Sequence, residues 1–223
     1  MKLKSLMTAC AILSASAGAW ATGMGVRLGS TGVGVDFAVP VDYVPGLSAR
    51  FGVSGLNMSR NVSATDVNYE GTLKLANASL LLDWNWNPLG ILRLTGGLVY
   101  ANNRVDVLGR STGGSYTING QTYPASAVSS LSGSIASSNK VAPYLGLGWG
   151  TVVGKGIGFY GDVGVLFQGQ MDADMSAECC KSLGTAECAQ LQVNVRKEAD
   201  ALRDSAKGFK YWPVINMGIT IGF

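Results

Sequence analysis

Apolar and polar positions alternate with a period of two along most of this chain, the mark of strands whose two faces meet different surroundings. "VGVDFAVPV" sets Val33, Val35, Phe37, Val39 and Val41 against Asp36, and "LSARFGVSG" sets Leu47, Ala49, Phe51 and Val53 against Arg50. "ILRLTGGLVYAN" places Leu92, Leu94, Leu98 and Tyr100 opposite Arg93, and "VAPYLGLGWG" places Val141, Leu145, Leu147 and Trp149 opposite Tyr144 and two glycines. In "IGFYGDVGVLFQG" the apolar set is Ile157, Phe159, Val163, Val165 and Phe167, with Tyr160 and Asp162 on the other side. The ending "NMGITIGF" keeps Ile215, Met217, Ile219, Ile221 and Phe223 on one parity. Between Val67 and Trp86 the parity flips: Tyr69, Leu73 and Leu75 are odd, but Ala78, Leu80, Leu82, Trp84 and Trp86 are even. That flip predicts a β-bulge near residues 75–77.

Composition decides what the apolar faces meet. Of 223 residues 47% are hydrophobic and only 14% charged, against roughly 25% charged in soluble domains. Mean hydropathy is +0.23. Gly, Asn, Asp or Arg interrupts every apolar run before the ~20 residues that a spanning helix requires. The 31 glycines disfavour helices and suit the tight corners of a barrel. An oily chain without a spanning helix points to a membrane β-barrel.

The first 21 residues, "MKLKSLMTACAILSASAGAWA", read as a cleaved signal peptide: two lysines, an apolar core, and a small-x-small ending at Ala19-Trp20-Ala21. Residues 22–223 then form the barrel domain. Removing Lys2 and Lys4 leaves 15 basic against 14 acidic residues, so no nucleic-acid partner is implied.

Connections set the orientation. "NPLG" at 87–90 and "VGKG" at 153–156 are short, whereas 107–139 and 172–208 are long and polar, as periplasmic turns and outer loops are in outer-membrane barrels. Seven clear strands leave the N-terminus outside, so "TGMGVRLGS" is enlisted as an eighth, with Met24, Val26 and Leu28 outward. Trp84, Trp86, Trp149 and Phe223 fall near one rim, and Tyr69, Tyr100, Phe167 and Tyr211 near the other, as two aromatic girdles. The fold expected is all-β: an eight-stranded antiparallel up-and-down transmembrane barrel with long outer loops. A soluble sandwich alternates too, but needs neither a leader nor outward aromatics.

The leader, the eight alternating strands, "APYLGLGWG", "GFYGDVGVLFQG" and "KYWPVINMGITIGF" together resemble the small bacterial outer-membrane β-barrel proteins, the group of the outer-membrane protein A membrane domain and the Ail-type adhesins. The resemblance implies residence in a Gram-negative outer membrane, contact with its lipid and lipopolysaccharide, and insertion by the barrel assembly machinery. It also implies that Tyr211, Ile219, Ile221 and Phe223 act as a C-terminal insertion signal.

Chemistry is mostly excluded. The chain has no histidine, which removes imidazole-based catalysis and disfavours a membrane-embedded lipid-modifying enzyme. "GTVVGKG" lacks the spacing and the hydroxyl residue of a phosphate loop. Asp172 and Asp174 in "QMDADMS" read as a solvated loop rather than a cation site, and no cofactor or metal is expected.

Parity points eight charges inward: Arg27, Asp36, Arg50, Glu70, Lys74, Asp83, Arg93 and Asp162, four of each sign. Eight strands leave room for little but side chains, and buried charges require partners. A closed plug of ion pairs is expected, with Asp83 beside Arg93; the alternative is a narrow pore. In the long loops, Asn119-Gly120 within "SYTINGQTYPA" predicts a hairpin that extends the barrel outward as a ledge. Leu191, Val195, Ala199, Leu202 and Ala206 recur at helical spacing, with Arg196 and Asp200 four apart and Gly208 as a stop, so a short helix is expected over the barrel mouth. The mature chain's cysteines, Cys179, Cys180 and Cys188, predict one disulfide from Cys188 to Cys179 or Cys180. The function expected is nonenzymatic, a structural or adhesin-like surface role with an unidentified ligand. The runner-up is a porin-like channel for small solutes.

Overall fold

A computed structural model describes residues 22–64, 67–86, 91–111, 115–124, 128–179 and 184–223. The leader at 1–21, the "NPLG" turn at 87–90 and Cys180 lie outside the described residues, as does the side chain of Tyr69.

The strands are β1 (Gly23–Gly29), β2 (Gly32–Pro40), β3 (Leu47–Ala64), β4 (Val67–Trp84), β5 (Leu92–Ala101), β6 (Arg104–Ser111), β7 (Ser115–Ile118) and β8 (Gln121–Pro124). They continue with β9 (Val128–Ser137), β10 (Val141–Trp149), β11 (Gly156–Phe167), β12 (Met171–Cys179) and β13 (Tyr211–Gly222). One helix, α1, spans Thr185–Ala206 between β12 and β13. The pairing is antiparallel throughout, and β1, β2, β3, β4, β5, β10, β11 and β13 follow one another around a ring that β13 closes onto β1. "TGMGVRLGS" therefore does supply a strand. It reverses into β2 through Ser30 and Thr31, where Gly32 takes φ +98°, a conformation that a side chain disfavours.

The alternation resolves into two surfaces. Val26, Leu28, Leu80, Leu147, Phe159 and Met217 stand outward, each more than half exposed, while Arg27, Asp36, Arg50 and Asp162 from the opposite parity are buried. Trp84, Trp86, Trp149 and Phe223 are outward at one end of the ring, and Tyr100, Phe167 and Tyr211 at the other, where the last two meet edge to face at 5.5 Å. Ile219 and Ile221 point outward between them.

Three expectations require correction. The bulge in β4 is absent: its register with β3 runs unbroken from Leu47↔Trp84 to Ala64↔Val67. What changes is the other neighbour, since β4 leaves β5 at Asn77 and takes β6 from Lys74 upward. Leu75 is accordingly buried on the parity of Asn77 and Asp83, and Lys74 and Glu70 fall on the parity of the outward residues.

The long segments are not loops either. β6, β9 and β12 add successively to the part of β4 that runs beyond the ring, in the order β3-β4-β6-β9-β12. "QMDADMS" lies mostly in β12. Extending β4 exposes backbone donors and acceptors, and these segments satisfy them.

The third correction concerns the helix, which has 22 residues and packs on β12 and the β7–β8 hairpin rather than over the mouth of the ring. Leu191 and Val195 close a cluster with Ile118, Val128 and Ala177, while Leu202 stays 38% exposed. The hairpin turns through Asn119 (φ +50°) and Gly120 (φ +73°), the left-handed pair that a two-residue turn needs. A disulfide joins Cys179 to Cys188. Gln192 Nε2 donates to the Ala177 carbonyl at 2.6 Å and Arg203 Nη2 to the Ala173 carbonyl at 2.9 Å, so α1 covers the free edge of β12.

Candidate functional site

The ring interior gathers six of the eight charges that parity selects. Arg27 meets Asp36 at 2.8 Å, and Arg50 reaches Asp83 through Nε at 2.8 Å and Asp162 through Nη1 at 3.0 Å. Arg93 Nη2 meets Asp162 at 2.7 Å and its Nε stands 3.5 Å from Asp83. Arg50 is fully buried and its Nη1 also lies 3.7 Å from Asp36. It touches all three carboxylates, so it is the hub that joins the separate pairs into one network. Three guanidinium groups face three carboxylates, which leaves no net charge.

Neutral groups add to the coordination. Thr95 Oγ1 donates to Asp83 at 2.6 Å, Tyr160 Oη donates to Asp36 at 2.6 Å, and Arg93 Nη1 donates to the Gly150 carbonyl at 2.9 Å. The Arg50 and Arg93 guanidinium carbons lie 5.8 and 5.6 Å from the Tyr160 ring centre, within cation–π range. The glycine pattern makes room for this: a Cβ on Gly25 or Gly218 would strike the Tyr160 ring, and one on Gly52 would strike the Asp36 carboxylate. Glycine therefore alternates with apolar residues on these strands because the strands beside them carry the large inward groups: Tyr160 is in register with Gly218 and Asp36 with Gly52.

Glu70 and Lys74 do not join the network. With no bulge in β4, both stand on the exposed outward face, and Lys74 pairs with Asp106 at 2.9 Å. Asp83 and Arg93 are neighbours, yet each has a closer partner, Arg50 and Asp162 respectively. Asp172 and Asp174 serve Arg203, at 2.8 and 3.8 Å. Arg203 also takes Asp200 at 2.9 Å, the residue that spacing assigns to Arg196. Among the described residues no cluster of His, Cys, Asp or Glu is arranged to hold a metal.

Two further layers, absent from the charge-based reading, flank the network. On the loop-bearing side, Leu81, Val99, Ala101, Ala142, Tyr144, Leu166 and Val214 form an apolar layer across the interior, with Trp212 against it. Parity held the signal, since Val99, Leu166 and Val214 are apolar on the inward face. On the other side, Val152 from the turn after β10 packs under Ala38 and Tyr160, and its carbonyl accepts from Thr220 Oγ1 at 3.0 Å. A cavity of about 20 Å³ is bordered by Arg27, Asn77, Tyr144 and Asp162 among others, room for about one water.

No protein-family model and no curated protein matches the chain. Solved structures do. CarO of Acinetobacter baumannii superposes with a TM-score of 0.60 at 22% identity, over 90% of this chain and 97% of that one. CarO2 of the same organism gives 0.61 at 22% identity, over 92% and 99%. A major outer membrane protein of Thermus thermophilus aligns at 16% identity with a TM-score of 0.42, over 91% and 99%. The likeness to CarO and CarO2 is one of fold, and it extends over nearly the whole of each chain.

Proposed function

We propose that the chain is a nonenzymatic outer-membrane protein of a Gram-negative bacterium whose eight-stranded barrel is closed and whose outer sheet and helix form a surface for interaction. Residues 1–21 act as the cleaved leader, and Phe223 with Tyr211, Ile219 and Ile221 is read by the assembly machinery. The observation that carries this reading is the pairing of a ring-wide apolar outer surface, bounded by two aromatic belts, with a neutral interior in which each charge has an opposite neighbour. Such an exterior has no place in water, and such an interior supports a closed lumen. A pore that selects ions presents a ring of one sign, whereas here the signs cancel. The extension of β3 and β4 with β6, β9, β12 and α1 gives the outer side far more ordered surface than the short turns give the inner side.

The purified barrel in a planar lipid bilayer tests the reading. No stable conductance steps are expected. Reproducible steps at low voltage would establish the channel alternative instead.

A further inference from the structure

The unbroken β3–β4 register has a consequence outside the ring. One outward face of β4 runs continuously from Trp84, Leu82, Leu80, Ala78 and Ala76 to Lys74, Thr72 and Glu70, so an apolar stripe passes without interruption into a polar one. At the junction Lys74 is paired in register with Arg104 of β6. Asp106 receives both cations at 2.9 Å, from Lys74 Nζ and from Arg104 Nε. At this junction two cations share one carboxylate, the next acidic group along this face of β4 is Glu70, and both cationic side chains remain about half exposed, at 47% and 51%. Immediately above, on the side away from the apolar stripe, a groove of about 450 Å³ is lined by Glu70, Asp106, Ser132, Ser134, Asp174 and Ser176 among others. Hydroxyls that donate or accept and carboxylates that accept are the complement of sugar hydroxyls.

We propose that this face is a docking site for a phosphorylated glycolipid of the outer leaflet. The acyl chains lie on Ala76, Ala78, Leu80 and Leu82, a phosphate bridges Lys74 and Arg104, and the sugars occupy the groove. The order of surfaces along β4 is the order of groups in such a lipid. A simple phospholipid fills only the first two, leaving the groove without a partner. A guanidinium presents a planar fork that suits phosphate oxygens, and an ammonium beside it supplies a second donor from the neighbouring strand.

The site rests on the outer-membrane reading, and the experiment separates the two. The mature chain is incorporated into phospholipid vesicles, and flotation with resistance to carbonate extraction reports membrane insertion. Failure to insert overturns the membrane reading and the site with it. Native mass spectrometry of the detergent-solubilised protein then measures binding of diphosphorylated lipid A, the same lipid after phosphatase treatment, and phosphatidylglycerol. Diphosphorylated lipid A is expected to bind about tenfold or more tightly than the other two, with little displacement by inorganic phosphate. A Lys74→Gln/Arg104→Gln variant is expected to lose that preference while keeping the heat-modifiable mobility of the folded barrel. Equal binding of phosphorylated and dephosphorylated lipid A to the unmutated protein overturns the phosphate site whatever the variant does. Equal binding of phosphatidylglycerol overturns the glycolipid assignment, and displacement by inorganic phosphate shows an anion site without a lipid.

Discussion

Arg50 on β3 and Asp162 on β11 meet across the interior at 3.0 Å although 112 residues separate them in sequence. Their strands are not neighbours in the ring; the link spans it. Because Arg50 also holds Asp83 and approaches Asp36, one side chain couples β2, β3, β4 and β11.

Removing that hub is the most damaging change expected of any single charge. Arg50→Met leaves Asp83 and Asp162 short of their cation in a site closed to water, a loss of about 3–5 kcal/mol for an unpaired buried charge. Arg93→Ala removes a terminal partner rather than the hub and is expected to cost less. Urea unfolding in detergent, followed by tryptophan fluorescence, ranks the two. An Arg50 variant as stable as the parent would show that the network contributes nothing.

Gly218→Leu is expected to fail for a steric reason. A Cβ there already meets the Tyr160 ring, and a longer side chain displaces Tyr160 from Asp36 and from the two guanidinium groups. Loss of the heat-resistant folded band on gels is the expected result. A Gly120→Ala control in the hairpin turn, where a Cβ meets nothing but φ is +73°, is expected to cost only about 1 kcal/mol of local strain.

Reduction acts locally. Cys188→Ser opens the Cys179–Cys188 bridge, which closes a short loop between β12 and α1; a bridge of this span contributes about 2 kcal/mol. Amide exchange of α1 is expected to quicken while that of β1, β2 and β13 stays unchanged. Uniform quickening throughout the ring would show that the helix and the ring unfold together.

Phe223 is the fourth case. Its amide donates to the Thr22 carbonyl at 2.9 Å and its ring faces outward. Deleting it is expected to lower the folded protein recovered from outer membranes while export continues. Undiminished insertion would remove it from the insertion signal.

The ring was legible in the sequence because its strands have two unlike faces, and period-two alternation reports that contrast directly. Arg27, Asp36, Arg50, Asp83, Arg93 and Asp162 could be selected by parity alone, since a charge flanked by outward apolar residues has one direction open to it. Their partners could not, because Asp162 meets Arg50 only through the closure of the whole ring. The outer extension was only partly legible. Arg104–Ser111 breaks its short apolar alternation with Asp106 and Arg110, and Val128–Ser137 carries five serines in ten residues, so both resemble polar loop. Glu70 and Lys74 were misplaced because Tyr69, Leu73 and Leu75 are apolar on the inner parity, which mimics a lipid face and suggests a bulge. The inner face of β4 there is apolar for packing, not for lipid.

The seam between β1 and β13 also fixes when the fold can be completed. Gly23–Gly29 must find Gly222–Asn216, and β13 pairs with β11 on its other side. Until β1 and β13 meet, the sheet has two raw edges, each a row of amides and carbonyls that an apolar surrounding cannot satisfy. A partly inserted sheet is therefore a state to be sheltered rather than a stopping point. Closure joins segments almost the full length of the chain apart, a slow search whose reward comes all at once. The seam thus works as a clasp: it makes closure of the ring a single event, governed by whatever holds the two edges apart until they pair.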